Sequence, residues 1–261
     1  MSDQRRSLKS VERVGKILDV LRRDDAVRLS EVGAQLDISL GTLHTYLDTL
    51  RREGFVEREG QQYRLGPELL TLGETYRNNS VLYRAGRSEV KQLAGETEES
   101  VHLITERRDH ALVIYEEFGP RAVGTKYHQQ WREQTHAYLH CTGAGKAILA
   151  HLPEQRREII LDEGDLVALT DETITDRARL REELARTRER GFALADGEEI
   201  SGVRAVGAPI YSPEDEVLGA ISLTAAANRL ESDRFRERIP SRLQQAANII
   251  EVNIRTGDLA Y

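Results

Sequence analysis

Three segments with the apolar spacing of helices, followed by a short pair of strands, occupy the first 66 residues. The first segment, Ser10–Arg22, repeats apolar residues every three or four positions and predicts an amphipathic helix. The second, Leu29–Leu36, carries Ser30, which is suited to cap a helix. The third starts behind Ser39 after a tight connection and continues to about Glu53. This order of helices predicts a helix-turn-helix.

A hairpin is predicted directly after the third helix, because apolar residues flank the turn-forming pair Glu59 and Gly60. Such a hairpin is the wing of a winged helix. The polar side of the third helix has small side chains near its start, which suit the major groove, and basic ones near its end, which suit phosphates. The residues expected to contact DNA are Arg28, Ser39, Leu40, Gly41, Thr42, His44, Thr45, Arg51, Arg52, Arg58 and Arg64.

A scaffold whose winged helix binds protein is the alternative to DNA binding. The first 66 residues carry 12 basic and 11 acidic side chains, a lower net charge than most DNA-binding domains have. DNA binding is favoured, because the helices, the turn and the wing occur in order and at the correct spacing.

Length and composition limit what the rest of the chain does. A chain of 261 residues favours two domains. No apolar run approaches the roughly 18 residues that a membrane-spanning helix needs, so we expect a cytoplasmic protein with no membrane partner. Only five of the 37 basic residues are lysine, and an acidic, lysine-poor surface indicates a halophilic source. Cys141 is the only cysteine, which excludes an internal disulfide and a cysteine-rich zinc site.

The residues beyond 66 predict an α+β domain, with helices packed on antiparallel strands. Turn-forming residues separate two pairs of apolar strands, and amphipathic segments lie before, between and after them. The predicted elements are helices over Pro67–Arg77, Leu82–Gly95 and Leu180–Arg190, a terminal helix after Ser232, and hairpins over Ser100–Phe118 and Ala205–Thr224.

A glycine-rich turn, Thr142–Gly145, leads into a helix predicted over Lys146–His151. The free amides at such a helix start can hold an anion, for example a ligand carboxylate. A phosphate-binding P-loop needs glycine at His140, and a dinucleotide fingerprint needs glycine at Ile148, so neither motif is present. The alternative is that the glycines only permit a close turn into the helix.

Other polar residues of this domain also have competing interpretations. Ser222 and Thr224 lie two apart on a predicted strand and point to one face, as the polar floor of a pocket requires, or as an ordinary half-exposed strand shows. Asp196 can accept hydrogen bonds from ligand hydroxyls or be merely solvated. Cys141 next to His140 is expected to pack rather than to act as a nucleophile. The histidines that lack a metal-binding spacing are His128, His136, His140 and His151.

The chain resembles the IclR family of transcriptional regulators over nearly its whole length. In the N-terminal part the resemblance rests on Ser10–Val14, Ile38–Leu47, Gly54–Val56 and Tyr63–Gly66. The C-terminal blocks are more specific, because their order and spacing are hard to obtain by chance. These blocks are His140–Ala150, Thr173–Asp176, Arg190–Ala193, Asp196–Glu199, Gly202–Ile210 and Gly219–Thr224.

The resemblance implies a winged helix over 1–66, linker helices over 67–95 and a GAF-like effector-binding domain over 96–261. It also implies a homodimer or homotetramer on palindromic double-stranded DNA, controlled by a small-molecule effector such as a small organic or sugar-derived acid. No cofactor, metal or enzymatic activity is expected, and an enzyme that uses the GAF-like pocket is the alternative. The residues that the resemblance assigns to the effector are Gly143, Ala144, Asp196, Val203, Ala205, Ser222 and Thr224.

The chain differs from the family at informative positions. In the recognition helix the family often has a basic residue and a serine before the threonine and an arginine after it, where this chain has Leu40, Gly41 and Thr45. Ala205 occupies a position that is cysteine in some acid-binding members. Neither the operator sequence nor the ligand therefore follows from the resemblance.

Overall fold

The computed structural model describes residues 8–24, 26–123 and 138–257. These residues form two compact units, one that extends to Arg77 and one that starts at Asn78. In the described ranges, no helix is long and apolar enough to cross a membrane.

The first unit is three helices and a small sheet, as the apolar spacing predicts. Its core contains Ile17, Leu43 and Leu47, all fully buried. A two-residue strand that was not predicted pairs with the wing and makes the sheet three-stranded, in the order β1-β3-β2. The elements are α1 (Lys9–Arg23), β1 (Val27–Arg28), α2 (Leu29–Leu36), α3 (Leu40–Arg52), β2 (Val56–Glu59) and β3 (Gln62–Leu65).

The two predicted helix caps have different outcomes. Ser39 caps α3, since its Oγ accepts from the Thr42 amide at 3.3 Å, so that prediction is confirmed. The assignment of Ser30 is wrong, because α2 already begins at Leu29. The carboxylate of Glu31 accepts from the Arg28 amide at 2.7 Å and closes the first turn one residue earlier.

The second unit is a five-stranded antiparallel sheet in the order β5-β4-β8-β7-β6, with helices on both faces. The predicted α+β class is confirmed, while α7 and β6 were not predicted. Helix α4 (Glu68–Asn79) begins in the first unit and ends in the second. The remaining elements are α5 (Val81–Thr97), β4 (Ser100–Arg107), β5 (His110–Phe118), α6 (Gly143–His151), α7 (Glu154–Glu163), α8 (Arg177–Arg190), β6 (Ala193–Asp196), β7 (Val203–Tyr211), β8 (Val217–Ala226) and, after a π-helical turn over Arg234–Arg238, α9 (Ile239–Thr256).

The two faces of this sheet have different chemistry, because side chains alternate along each strand. Val101 and Leu103 of β4 point to one face and pack with residues of α5 and α9. Ser100, His102 and Ile104 point to the other face, where α6 and α8 pack. In its interior the first face is apolar, and the buried polar side chains of β4 and β8 lie on the second.

Candidate DNA-binding surface and ligand pocket

Helix α3 buries one side and exposes the other. Leu43, Leu47 and Leu50 face the core of the first unit. The residues expected to contact DNA are exposed without exception, both on α3 and on the wing. The structure thus places them on accessible surface, as contact with a duplex requires.

The exposed side of α3 has an apolar flank. Thr42, Thr45 and Thr49 line a groove of about 530 Å³ together with Val11 and Val14 of α1. Thr45 donates to the carbonyl of Gly41 at 3.1 Å, and Thr49 donates to that of Thr45 at 2.8 Å. Because these hydroxyl protons are used inside the helix, this flank offers few donors. Gly41 and His44 do not line the groove.

The arginines at the end of α3 are held by one carboxylate. Arg51 lies 3.0 Å and Arg52 lies 2.7 Å from the carboxylate of Asp48. The hydrogen bond from Arg51, with help from the charge of Arg52, lowers the pKa of Asp48. Exposed ion pairs of this kind contribute little to stability, so both guanidinium groups can exchange Asp48 for a phosphate.

The remaining predicted arginines lie on the three strands of the small sheet, Arg28 and Arg64 on one face and Arg58 on the other. Arg58 donates to the carbonyl of Gly60 at 2.9 Å and lies 5.5 Å from the ring centre of Tyr63. Arg64 donates to Glu57 at 3.0 Å across the hairpin. Arg28 joins them because β1 pairs with β3, a contact that no local pattern revealed.

The glycine-rich turn of the second unit is itself helical. Helix α6 begins at Gly143 rather than at the predicted Lys146, and Thr142 is its N-cap. The hydroxyl of Thr142 accepts from the Gly145 amide at 2.9 Å. Among the amides of the first turn, those of Gly143 and Ala144 do not donate to the Thr142 hydroxyl. They are therefore the groups that can hold an anion.

Helix α6 starts almost in contact with the backbone of β7. A Cβ atom on Gly207 would lie 2.7 Å from the nitrogen of Ala144 and closer still to the carbonyl group of Gly143. A Cβ atom on Gly143 would lie 3.1 Å from the carbonyl carbon of Ala205. Gly143 thus has a packing role, whether or not a ligand binds there.

A buried polar patch covers the sheet beside this helix start. Ser222 and Thr224 of β8 are both 3% exposed and share one face, as predicted. The register adds His102 opposite Ser222 and Ser100 opposite Thr224, both from β4. Sequence reasoning missed these two residues, although they alternate with Val101 and Leu103. Their pairing with a strand more than 100 residues away could not be predicted from local pattern.

The other predicted ligand residues divide into two groups. Ala205 of β7 pairs with Thr224 and therefore lies beside the polar patch. Val203 lies half-buried at the start of β7. Asp196 does not join them. It is exposed and forms a bidentate pair with Arg204 at 2.7 and 2.9 Å. Arg204 stacks on Phe235 beneath the opposite face of the sheet.

A buried cluster of charged side chains around Lys146 of α6 was not predicted. Lys146 is 1% exposed, and its ammonium group lies 2.6 Å from Glu198 and 3.6 Å from Glu183. Burial raises the pKa of Glu198. For Glu183, burial also acts to raise the pKa, but the charges of Lys146 and Arg190 outweigh it, and the pKa is lowered.

The same cluster fixes the loop between β6 and β7. The hydroxyl of Thr173 donates to the carbonyl of Glu198 at 2.6 Å, and that of Thr170 donates to the carbonyl of Gly197 at 2.7 Å. Helix α6, this loop and the segment around Thr170 are therefore joined by buried polar contacts. Such networks favour a single arrangement of the parts they connect.

Cys141, His140 and His151 pack inside the second unit. Cys141 is fully buried, and burial raises the pKa of its thiol, which keeps it protonated. His140 donates to the carbonyl of Val167 at 3.1 Å, and His151 donates to that of Ala147 at 2.8 Å. His128 and His136 lie outside the described residues. Within the described part, no group of three or more His, Cys, Asp or Glu side chains is placed to hold a metal.

Two histidines that the fold desolvates, His140 and His151, predict a loss of stability in mild acid. Desolvation lowers the pKa of both His140 and His151, while the unfolded chain keeps the ordinary value of 6.5. As the pH falls below 6.5, the unfolded state binds protons that the native state refuses, so the free energy of unfolding decreases. Urea unfolding followed by circular dichroism, from neutral to mildly acidic pH, measures this loss.

The double variant His140→Gln/His151→Gln should lose less stability over the same pH range. Glutamine keeps a hydrogen-bond donor at both positions and does not titrate. His44→Gln, on the exposed side of α3, is the control and should follow the wild-type profile. A double variant with the full wild-type loss would assign the acid sensitivity to other groups.

Comparison with known proteins identifies both units. Residues 10–60 match the model of the IclR helix-turn-helix domain, and residues 75–252 match the model described as bacterial transcriptional regulator IclR C-terminal. A protein of Halobacterium salinarum, described as "Probable HTH-type transcriptional regulator ArcR", is 40% identical over 97% of this chain and 96% of its own length. The glycerol operon regulatory protein of Streptomyces coelicolor is 30% identical, over 97% of this chain and 98% of its own length.

Solved structures have the same fold. The crystal structure of an IclR homolog from Microbacterium hydrocarbonoxydans, complexed with 4-hydroxybenzoate, aligns with a TM-score of 0.80 at 24% identity. The alignment covers 95% of this chain and 99% of that one. The family models match both units, and the relatives align along nearly the whole length. The chain therefore belongs to the IclR family of transcriptional regulators.

Proposed function

We propose that this regulator recognises the base sequence of its operator with the exposed side of α3, and that an effector bound beneath the start of α6 controls how well α3 fits the operator. Members of the family bind DNA through the helix-turn-helix and an effector through the C-terminal domain. The proposal rests on the exposed side of α3, the helix that Ser39 caps. The neighbouring wing also bears exposed arginines.

The contacts divide into those that read bases and those that bind phosphates. Leu40, Gly41 and His44 lie on the first turns of α3 outside the apolar groove, and these turns enter the major groove in a helix-turn-helix. The arginines of α3 and of the wing sheet approach the sugar–phosphate backbone. They are Arg28, Arg51, Arg52, Arg58 and Arg64.

A homo-oligomer on a palindromic operator fits the exposed apolar side chains of α4. No residue of α4 is buried, and its exposed apolar side chains include Leu72 and Tyr76, which lie one turn apart. Exposed apolar side chains that lie together mark interaction sites. In this proposal the chain divides into a winged helix over 1–66, a linker over 67–95 and an effector-binding domain over 96–261.

The effector is a small acid. Its carboxylate is held by the Gly143 and Ala144 amides, and its body lies over Ala205, Ser222 and Thr224. The bound 4-hydroxybenzoate of the structural neighbour is likewise a carboxylate. The exposed pair of Asp196 with Arg204 argues for a structural role of Asp196 rather than ligand contact.

Regulation follows from a shift between arrangements of the regulator. An effector that binds one arrangement better than another moves the population toward it, and operator DNA must then change effector affinity by the same factor. Cys141 does not serve this pocket as a nucleophile, because its thiol is fully buried and burial raises its pKa. The proposed location is the cytoplasm, where such a regulator can bind its operator. A halophilic source accords with the relative from Halobacterium salinarum.

Replacement of His44 by alanine should weaken binding to the specific operator by about 1–3 kcal/mol and leave non-specific binding nearly unchanged. The reason is that His44 is exposed on the first turns of α3, outside the apolar groove. A gel-shift assay with DNA upstream of the gene, titrated with competitor DNA, gives both affinities.

Thr49→Ala is the matched control on the same helix. Thr49 lines the groove against α1, and its hydroxyl donates within the helix, so its loss should leave specific binding close to wild type. Equal losses on specific and non-specific DNA for His44→Ala would contradict base reading. A wild-type protein that forms no specific complex would favour the protein-binding scaffold.

A further inference from the structure

The hydroxyl of Ser100 is a buried polar group. Ser100 is 0% exposed, and its Oγ makes no hydrogen bond with any residue that the structure describes. Most buried side-chain hydroxyls are hydrogen-bonded, because a buried hydroxyl without a hydrogen bond loses its contacts with water and gains no replacement, which costs its full desolvation free energy. A ligand group or a water molecule is therefore expected at this oxygen.

The strand register places Ser100 on the face that the proposed effector covers. Ser100 pairs with Thr224, and Thr224 pairs with Ala205, so the three side chains form one row across β4, β8 and β7. Residues paired in this way point to the same face of a sheet. Gly143 lies directly over the β7 end of the row, in contact with Ala205.

This row sets the distance between two anchors. Neighbouring strands lie about 4.8 Å apart, so Ser100 on β4 lies roughly 10 Å from the β7 position beneath the start of α6. A two-carbon acid held at the helix start cannot reach Ser100. A longer acid with a polar group at its far end can.

We propose that Ser100 is a specificity-determining residue for the effector: it binds a hydroxyl that the ligand carries at the end remote from its carboxylate. This inference rests on the proposed function, since it takes the carboxylate to lie at the amides of Gly143 and Ala144. The ligand class is an acid whose hydroxyl and carboxylate are separated by several carbon atoms. The Ser100 hydroxyl can donate to the ligand hydroxyl or accept from it.

Titration calorimetry on the full-length protein tests the proposal with two probe series. The first consists of straight-chain acids of about three to eight carbons with a terminal hydroxyl, which bracket the span between the anchors. The second consists of the same acids without the hydroxyl. The wild-type protein should prefer the hydroxylated acid by about 3- to 10-fold, as one added hydrogen bond permits, but only at lengths that reach β4.

Ser100→Ala should abolish this preference and leave the affinity for the acids without a hydroxyl unchanged. Since alanine removes an unmet hydroxyl, the variant is expected to fold. Ser241→Ala, at an exposed position of α9, is the control and should keep the preference. The length dependence in the wild-type protein is a second test that needs no variant.

The outcomes separate this inference from the proposed function. If no acid of either series binds, the carboxylate site at α6 is wrong, and the proposed pocket fails with it. If both series bind equally well at every length, with no change in Ser100→Ala, the pocket stands. In that case Ser100 holds only a buried water, and the inference is overturned.

Discussion

Replacement of Lys146 by methionine should lower the free energy of unfolding by about 3–5 kcal/mol, because removal of one partner leaves a buried charge uncompensated. Lys146 is 1% exposed and lies 2.6 Å from Glu198. One carboxylate oxygen of Glu198 is already buried and makes no hydrogen bond to the described residues. Methionine nearly preserves the volume but removes the charge and the hydrogen bond that Lys146 donates to Glu198. Urea unfolding monitored by circular dichroism measures the loss.

Two companion variants show whether the charge is responsible. Lys91→Met, at an exposed position of α5, should change stability by no more than about 0.5 kcal/mol. Lys146→Met/Glu198→Gln should recover part of the loss, because the amide carries no charge. The deficit of Lys146→Met should also narrow as the pH falls, since protonation neutralises Glu198. A loss as small as that of Lys91→Met would show that the cluster stabilises nothing.

Replacement of Gly207 by alanine should cost about 3 kcal/mol, at the upper end of the effect of overpacking, because the added methyl meets backbone rather than a flexible side chain. The new Cβ would lie 2.7 Å from the nitrogen of Ala144 and closer to the carbonyl group of Gly143. Helix α6 must then lift from β7 and loosen its packing on the sheet. Thermal unfolding by circular dichroism measures this effect.

Gly95→Ala is the matched control, since nothing lies within 4 Å of the added Cβ. Gly95 lies inside α5, where alanine is better than glycine by about 0.5–1 kcal/mol, so this variant should be slightly more stable than wild type. The Gly207→Ala protein should also lose affinity for acids, because the Gly143 and Ala144 amides move away from the polar patch. A fully stable variant with normal acid binding would contradict the close contact of α6 with β7.

Local patterns predicted most of the elements, because each depends on residues close together in the chain. The helices of the first unit follow from apolar residues three and four apart, and Ser39 marks the start of α3 by its own hydrogen bond. The errors are also local. Glu31 rather than Ser30 closes the first turn of α2, and Thr142 starts α6 three residues earlier than the pattern indicates.

The sites depend more on contacts between distant parts of the chain. Ser222 and Thr224 were predicted from their spacing on one strand, but Ser100 and His102 reach them only because β4 pairs with β8. Arg28 joins the wing through a two-residue strand too short to have a pattern. Asp196, two positions from Glu198, turns to the opposite face and pairs with Arg204.

The order of residues alone determined the winged helix-turn-helix, the α+β class and the Ser39 cap of α3, since hydrophobic period, capping and turn preference act within a few residues. Tertiary structure alone decided which polar groups share the floor beneath α6, that Lys146 is buried between two glutamates, and that the described part of the chain offers the Ser100 hydroxyl no hydrogen bond. Strand register and burial are set by the packing of segments far apart in the chain, and the free energy of that packing is not encoded in any one of them.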